Sequence, residues 1–190
     1  IYAALQEIKA MYYWSKEDYD SYYVTAVKWL AYLDDKKLSQ AAQLQLAENI
    51  LEAGLVNNST LSFGTLLENN LVASLRNDPT RTPLFKVLEI FGKGNVESFE
   101  LFISQAGESL KRFGLIGANI DKLRRKIRVI AFYDSVFFSQ KRNFEQMSLS
   151  FKEIANIAQI NQNEVERLIV YVLSIGIFQG YVDELEQKFY

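Results

Sequence analysis

SFKEIANIAQINQNEVERLIVYVLSIGIFQGYVDELEQKFY, Ser150–Tyr190, decides how the rest of the chain is read. Ser150 is followed three residues on by Glu153, and Asn161 by Glu164. At each pair the first side chain can accept from an orphan helix N–H, and the carboxylate can reach back to the cap's own N–H. Two helices are therefore expected. The first turns Ile154, Ala155 and Ala158 inward, with Ile157 near the edge and Ile160 in the turn. The second carries Val165, Leu168, Ile169, Val172 and Leu173 on one stripe. Gly176 permits a reversal, after which Ile177–Val182 reads as a strand. Met147–Leu149 reads as a short first strand and Lys188–Tyr190 as a returning one. Strand, helix, turn, helix and hairpin is the order of a winged helix.

The chain has 190 residues, 49% hydrophobic and 14% aromatic, enough for one large domain or two small ones with a real core. With 21 basic and 23 acidic residues the formal charge is -2, which gives no general attraction to nucleic acid or anionic lipid. The absence of cysteine and histidine excludes disulfides, thiolate chemistry and ordinary zinc sites, and removes the usual base near neutral pH. The acidic clusters form no acid–base pair. Asp34 and Asp35 sit with Lys36 and Lys37 in a solvated turn, and Glu164 and Glu166 are two apart on a helix and do not face each other. Asp183, Glu184 and Glu186 lie in the hairpin. No catalytic centre, metal site or cofactor is expected, and the chain reads as a non-enzyme. It has no apolar run long enough to span a bilayer. An intracellular, soluble setting is expected, without membrane contact.

Residues 1–118 read as paired helices. Leu5, Ile8 and Tyr12 share a helical spacing, and Ser15 with Asp18 reads as a cap. Tyr19, Tyr22, Tyr23, Ala26, Val27 and Leu30 form the next face, read as core packing rather than a stacking cage. Ser39 caps a helix with Leu44, Ala47, Ile50 and Leu51 that ends near Gly54. Asn57–Thr60 is a loop, followed by short helices at Ser62–Glu68 and Asn70–Leu75. Thr82 and Pro83 start a helix bearing Leu84, Val87, Leu88 and Phe91, and Gly92-Lys93-Gly94 stops it. Asn95 caps another, with Val96, Phe99, Ile103 and Ala106 inward. Ser109–Gly117 reads as a loop-like interruption. Successive helix pairs without a strict period suggest a degenerate repeat stack.

Asn119 is expected to cap a long helix to Gln140, in a connecting segment of residues 119–145. Its stripe is Ile120, Leu123, Ile127, Ile130 and Phe137, widened by Phe132, Val136 and Phe138. Ile127, Ile130 and Phe137, with Val165, Ile169 and Val172, are expected to form a core between the repeat portion and the winged helix of residues 146–190. Lys122, Arg124, Arg125, Lys126 and Arg128 make a basic run, read as a nucleic-acid stripe or as arginines paired with acidic groups. From Gln146 onward three basic residues face six acidic ones, a balance of -3 that repels phosphate. The second helix of the pair presents Glu164, Arg167, Tyr171 and Ser174 outward, mainly unsuited to reading base edges. The hairpin strand is the better contact surface, because a strand offers an edge.

The order resembles that of the PCI-domain family. The residues that carry the likeness are Phe63, Leu66, Leu67, Leu75, Arg76 and Gly94-Asn95-Val96, then Phe151-Lys152-Glu153-Ile154-Ala155 and Asn163-Glu164-Val165-Glu166. Leu173-Ser174-Ile175-Gly176, Gly180 and Asp183 complete it. Among PCI proteins the chain looks most similar to non-ATPase subunits of the proteasome regulatory-particle lid. The resemblance implies a mostly α fold, a right-handed helical-repeat stack followed by a winged-helix subdomain. It implies a scaffold without catalysis, joining neighbouring PCI subunits through the winged-helix sheet and supporting ubiquitin-dependent degradation. The ubiquitin-receptor and deubiquitinating subunits are further implied partners, and cytoplasm and nucleus the implied location. The implied contact residues are Ile177, Phe178, Tyr181, Val182 and Asp183. Relatives carry more repeats before Ile1 and a helix after Tyr190, so a truncated piece is expected. The alternatives are a PCI subunit of the COP9 signalosome or of a translation initiation complex, and a winged-helix nucleic-acid-binding module.

Overall fold

A computed structural model describes residues 2–33, 38–140, 148–176 and 179–190. The turn expected at Asp34–Lys37, the strand start at Met147 and the contact residues Ile177 and Phe178 lie outside the described residues. The chain divides into two compact units, residues 1–93 with 102–123 and residues 94–101 with 124–190.

The first unit is helical. It begins with α1 (Tyr2–Ser15), α2 (Tyr19–Leu30) and α3 (Gln40–Val56). Ser15 is the last residue of α1 and donates to the Tyr12 carbonyl at 2.7 Å, so it is not the cap of α2. Asp18 takes that place, its carboxylate accepting from Ser21 N–H at 3.0 Å. Ser39 caps α3 by accepting from Ala42 N–H. Gly54 lies in the last turn of α3, two residues before its end at Val56. A Cβ there would stand 2.7 Å from the Tyr23 ring, so α2 and α3 approach too closely for a side chain. The Leu5, Ile8 and Tyr12 stripe of α1 is exposed, while Gln6 and Ala10 are the residues of that helix that are buried.

Short elements follow: α4 (Gly64–Glu68), α5 (Asn70–Ala73) and a 3₁₀ turn at Ser74–Asn77. α6 (Thr82–Gly92) has proline in its first turn, and buries Leu84, Phe85, Val87, Leu88 and Phe91. α7 (Val96–Lys111) is capped by Asn95, whose side chain accepts from Ser98 N–H at 2.8 Å. The expected interruption at Ser109–Gly117 is mostly helix, because α7 continues to Lys111 and α8 covers Gly114–Ala118. The glycines there misled the reading, since Gly114 opens a helical turn instead of breaking one. α9 (Ile120–Gln140) follows.

Among the described residues of the first unit, one carboxylate is buried. Glu52 on α3 accepts from Leu115 N–H at 3.0 Å. Burial raises its proton affinity, and the backbone hydrogen bond only partly offsets that. The folded chain thus holds this proton more tightly than the unfolded one. Its contribution to stability is full below the ordinary value of 4.5 and is lost as pH rises through the raised value. Urea denaturation from pH 4.5 upward should show a falling component in the parent that is absent in Glu52→Gln. Identical slopes would refute it.

The second unit contains the C-terminal part of α9, β1 (Leu149–Ser150), α10 (Phe151–Ala158), α11 (Gln162–Ser174), β2 (Val182–Asp183) and β3 (Lys188–Phe189). The sheet order is β1-β3-β2, antiparallel throughout. The Ser150–Glu153 box is formed: Glu153 Oε2 accepts from Ser150 N–H at 2.8 Å, and Ser150 Oγ accepts from Glu153 N–H at 3.3 Å. Gln159, in the left-handed region at φ 51, turns the chain between α10 and α11. Asn161 N–H donates to Glu164 Oε2 at 3.1 Å at the start of α11.

Ile127, Ile130, Val165, Ile169 and Val172 are all buried. Phe137 is not, and the expectation for it is corrected: it is 46% exposed and stacks on Tyr133 at 6.3 Å. Phe132, one turn and a little earlier, is the buried aromatic and meets Phe189 edge-to-face at 5.5 Å. A period of 3.6 residues carries Ile127 and Ile130 inward and leaves Phe137 within about 20° of Ile130 around the axis, so its exposure is set by which neighbours cover that end of α9 and not by the repeat.

Candidate assembly surface

β3 lies between β1 and β2, so the sheet has two edges. The edges differ because of hydrogen-bond alternation. Tyr181 and Tyr190 exchange both backbone bonds, each at 3.0 Å. In an antiparallel ladder the next residue then turns its N–H and C=O away from the partner strand. On β2 that residue is Val182, paired opposite Phe189. Its backbone groups therefore point to the open side. On β1 the equivalent position is Ser150, since Phe151 N–H bonds to the Gln187 carbonyl at 2.8 Å. Ser150 N–H is already taken by Glu153, and α10 begins at the next residue. β1 is thus blocked by its own helix cap, and β2 is the edge able to accept another strand.

Side chains follow the same pairing, because cross-strand partners share a face. Val182 is half-buried on the face of Phe189. Tyr181 is 64% exposed and stacks on Tyr190 with ring centres 5.1 Å apart. Asp183 and Lys188 pair beyond them. The structure brings Tyr181, Val182 and Asp183 together at this edge. Among the described residues the strand is Val182–Asp183, one residue beyond the expected end, and Gly180 before it is pressed against β3.

Two features of the edge escaped the sequence reading. Asp183 Oδ1 accepts from Leu185 N–H at 2.9 Å and from Glu186 N–H at 3.0 Å, closing the turn after β2. That turn lifts Leu185 to 98% exposure at its tip. The Asp-x-Leu spacing was the available signal, obscured by the charges around it. Glu186 is held below its ordinary value by hydrogen bonds from Lys188 and Tyr190, at 2.8 and 3.0 Å. It stays ionised, and its charges are spent within the turn.

The basic run does not form one stripe. Lys126 is buried, and Arg124 is bound to Glu100 at 2.6 Å. Arg125 is exposed and Arg128 half-buried. The outward residues of α11 are placed as expected, with Glu164, Arg167, Tyr171 and Ser174 exposed. Among the described residues no cluster of acidic side chains could hold a metal ion, and no helix is long and apolar enough to cross a membrane. The chemistry this edge can perform is recognition by main-chain hydrogen bonds, with Tyr181 and Leu185 as side-chain contacts.

Two family models match the chain: PSD13 N-terminal repeats over residues 1–88 and PCI domain over residues 99–190. It is 27% identical over 184 residues to the 26S proteasome non-ATPase regulatory subunit 13 of Dictyostelium discoideum, covering 97% of this chain and 47% of that protein. To the 26S proteasome regulatory subunit RPN9 of Saccharomyces cerevisiae it is 24% identical, covering 94% of this chain and 44% of the other. Eukaryotic translation initiation factor 3 subunit M of Emericella nidulans is 26% identical over 80% of this chain and 33% of its own. The chain spans about half the length, or less, of these curated relatives.

Proposed function

We propose that this chain, whose residues 99–190 match the PCI domain and residues 1–88 the PSD13 N-terminal repeats, is a non-catalytic scaffold portion of a proteasome regulatory-particle lid subunit, in the position of the ninth non-ATPase subunit. It joins a neighbouring PCI subunit by adding β2 to that subunit's sheet, and so supports ubiquitin-dependent degradation in cytoplasm and nucleus. The observation that carries this reading is the asymmetry of the sheet: Ser150 closes one edge, and Val182 leaves the other open. Tyr181 and Leu185 add large apolar contacts beside the open groups. The ubiquitin-receptor and deubiquitinating subunits are more distant partners in the same assembly. The likeness to initiation factor 3 subunit M favours a second reading, a PCI subunit of a translation initiation complex.

Co-expression with individual lid PCI subunits, followed by co-purification, tests the proposal. Tyr181→Asp with Leu185→Asp should leave the circular dichroism spectrum unchanged, since both side chains are exposed. It should weaken capture of the neighbouring subunit by about tenfold or more, as loss of central aromatic and aliphatic contacts does. Undiminished capture would remove this edge as the contact. Capture of initiation-factor subunits instead of lid subunits would favour the second reading.

A further inference from the structure

We infer that a cleft between α9 and α11 is a docking site for an acidic peptide segment of a partner protein, one that places a carboxylate beside an apolar side chain. The cleft has a volume of about 270 Å³ and is lined by Arg125, Arg128, Ile160, Arg167, Leu168 and Tyr171, with Glu164 at the wall. Arg125 and Arg128 are three apart on α9 and share a face. Arg167 and Leu168 lie four and three residues before Tyr171 on α11, and so each neighbours it on the helix surface. Two helices thus bring three guanidiniums to one concavity. This inference does not rest on the lid assignment, and it uses none of the residues of the β2 edge.

The arginines are the reason to expect a ligand. Three other arginines are matched by carboxylates: Arg76 by Glu89, Arg81 by Glu48 and Asp78, Arg124 by Glu100. Among the described residues, no carboxylate lies within ion-pair distance of Arg125, Arg128 or Arg167. Glu164 is turned to the Asn161 N–H at the start of its own helix. Arg128 Nε is buried without a hydrogen-bond partner, a cost that the fold leaves uncompensated. A guanidinium fork aimed into a cleft pairs with carboxylate or phosphate oxygens.

Carboxylate fits better than a phosphate polymer. Ile160, Leu168 and Tyr171 give the cleft an apolar floor that a sugar–phosphate backbone cannot use. Glu164 and Glu166, exposed on the same helix, would repel a long polyanion. A short segment with aspartate or glutamate next to an aliphatic or aromatic residue satisfies both the arginines and the floor.

The test is to pan a displayed library of random 12-residue peptides on the whole 190-residue chain and on its Arg125→Gln/Arg128→Gln/Arg167→Gln variant. Peptides enriched on the parent alone should carry Asp or Glu adjacent to an apolar residue. A synthetic copy of one such peptide, followed by fluorescence anisotropy, should lose roughly tenfold or more in affinity on the variant, and likewise when its own acids are made amides. The exposed single variant Arg125→Gln serves if circular dichroism shows the triple variant misfolded. Equal enrichment on parent and variant would overturn the inference, and so would selected peptides without acidic residues. Tight binding of a 12-nucleotide RNA, lost on the same substitutions while acidic peptides fail, would overturn it in favour of nucleic acid.

Discussion

Replacing Gly180 with alanine is expected to dismantle the small sheet of the winged unit. A Cβ at this position would fall against the Tyr190 carbonyl oxygen and within 2.5 Å of the Phe189 ring. Neither neighbour can retreat. Tyr190 is held by its paired backbone bonds to Tyr181, and Phe189 is buried against Phe132. Overpacking of this kind costs about 1–3 kcal/mol, and more when the obstacle is backbone. Hydrogen exchange should show lost protection at Tyr181 and Tyr190, and urea denaturation a lower midpoint. Gly114→Ala is the control, since a Cβ there meets nothing within 4 Å. If the two variants behaved alike, the close approach of β2 and β3 would be wrong. Because the β2 edge is the proposed contact, Gly180→Ala should also reduce partner capture without touching any contact residue.

The second large effect concerns the phenylalanines of α9. Phe132→Ala empties a fully buried site and removes the edge-to-face contact with Phe189, so about 3–5 kcal/mol should be lost. Phe137→Ala should cost less than about 1 kcal/mol, because that ring is half in water. Urea denaturation of both variants checks the contrast. Comparable losses would show that Phe137 is covered after all, and would restore the stripe expected from periodicity.

That stripe illustrates where periodicity stops. Ile127, Ile130 and Leu123 follow the helix repeat inward, and are buried. Phe137, one heptad past Ile130 and turned from it by only about 20°, matches the same repeat yet is exposed, because cover by distant segments and not the period decides burial. Local signals fared better. The Ser150–Glu153 box, Asn95, Ser39 and Thr82–Pro83 each act within one helical turn, and each marks a helix start in the structure. Ser15 and Asp18 compete for one cap, and backbone geometry decides for Asp18 because Glu17 takes the left-handed conformation at φ 57. The apolar residues of α1 show the opposite limit. Their spacing announces a helix and says nothing about which face meets a neighbour.

The amino-acid order alone settled the mostly helical class, the capped helix pair, the hairpin after it and the lack of thiol or imidazole chemistry. These depend on interactions between residues a few positions apart, or on composition. Three dimensions were needed to tell that β3 runs between β1 and β2, that Ser150 shuts one edge while Val182 opens the other, and that Arg167 joins Arg125 and Arg128 around one cleft. Such facts follow from which distant segments pack together. Pairing register and helix rotation are set by the whole core, and no short window of residues encodes them.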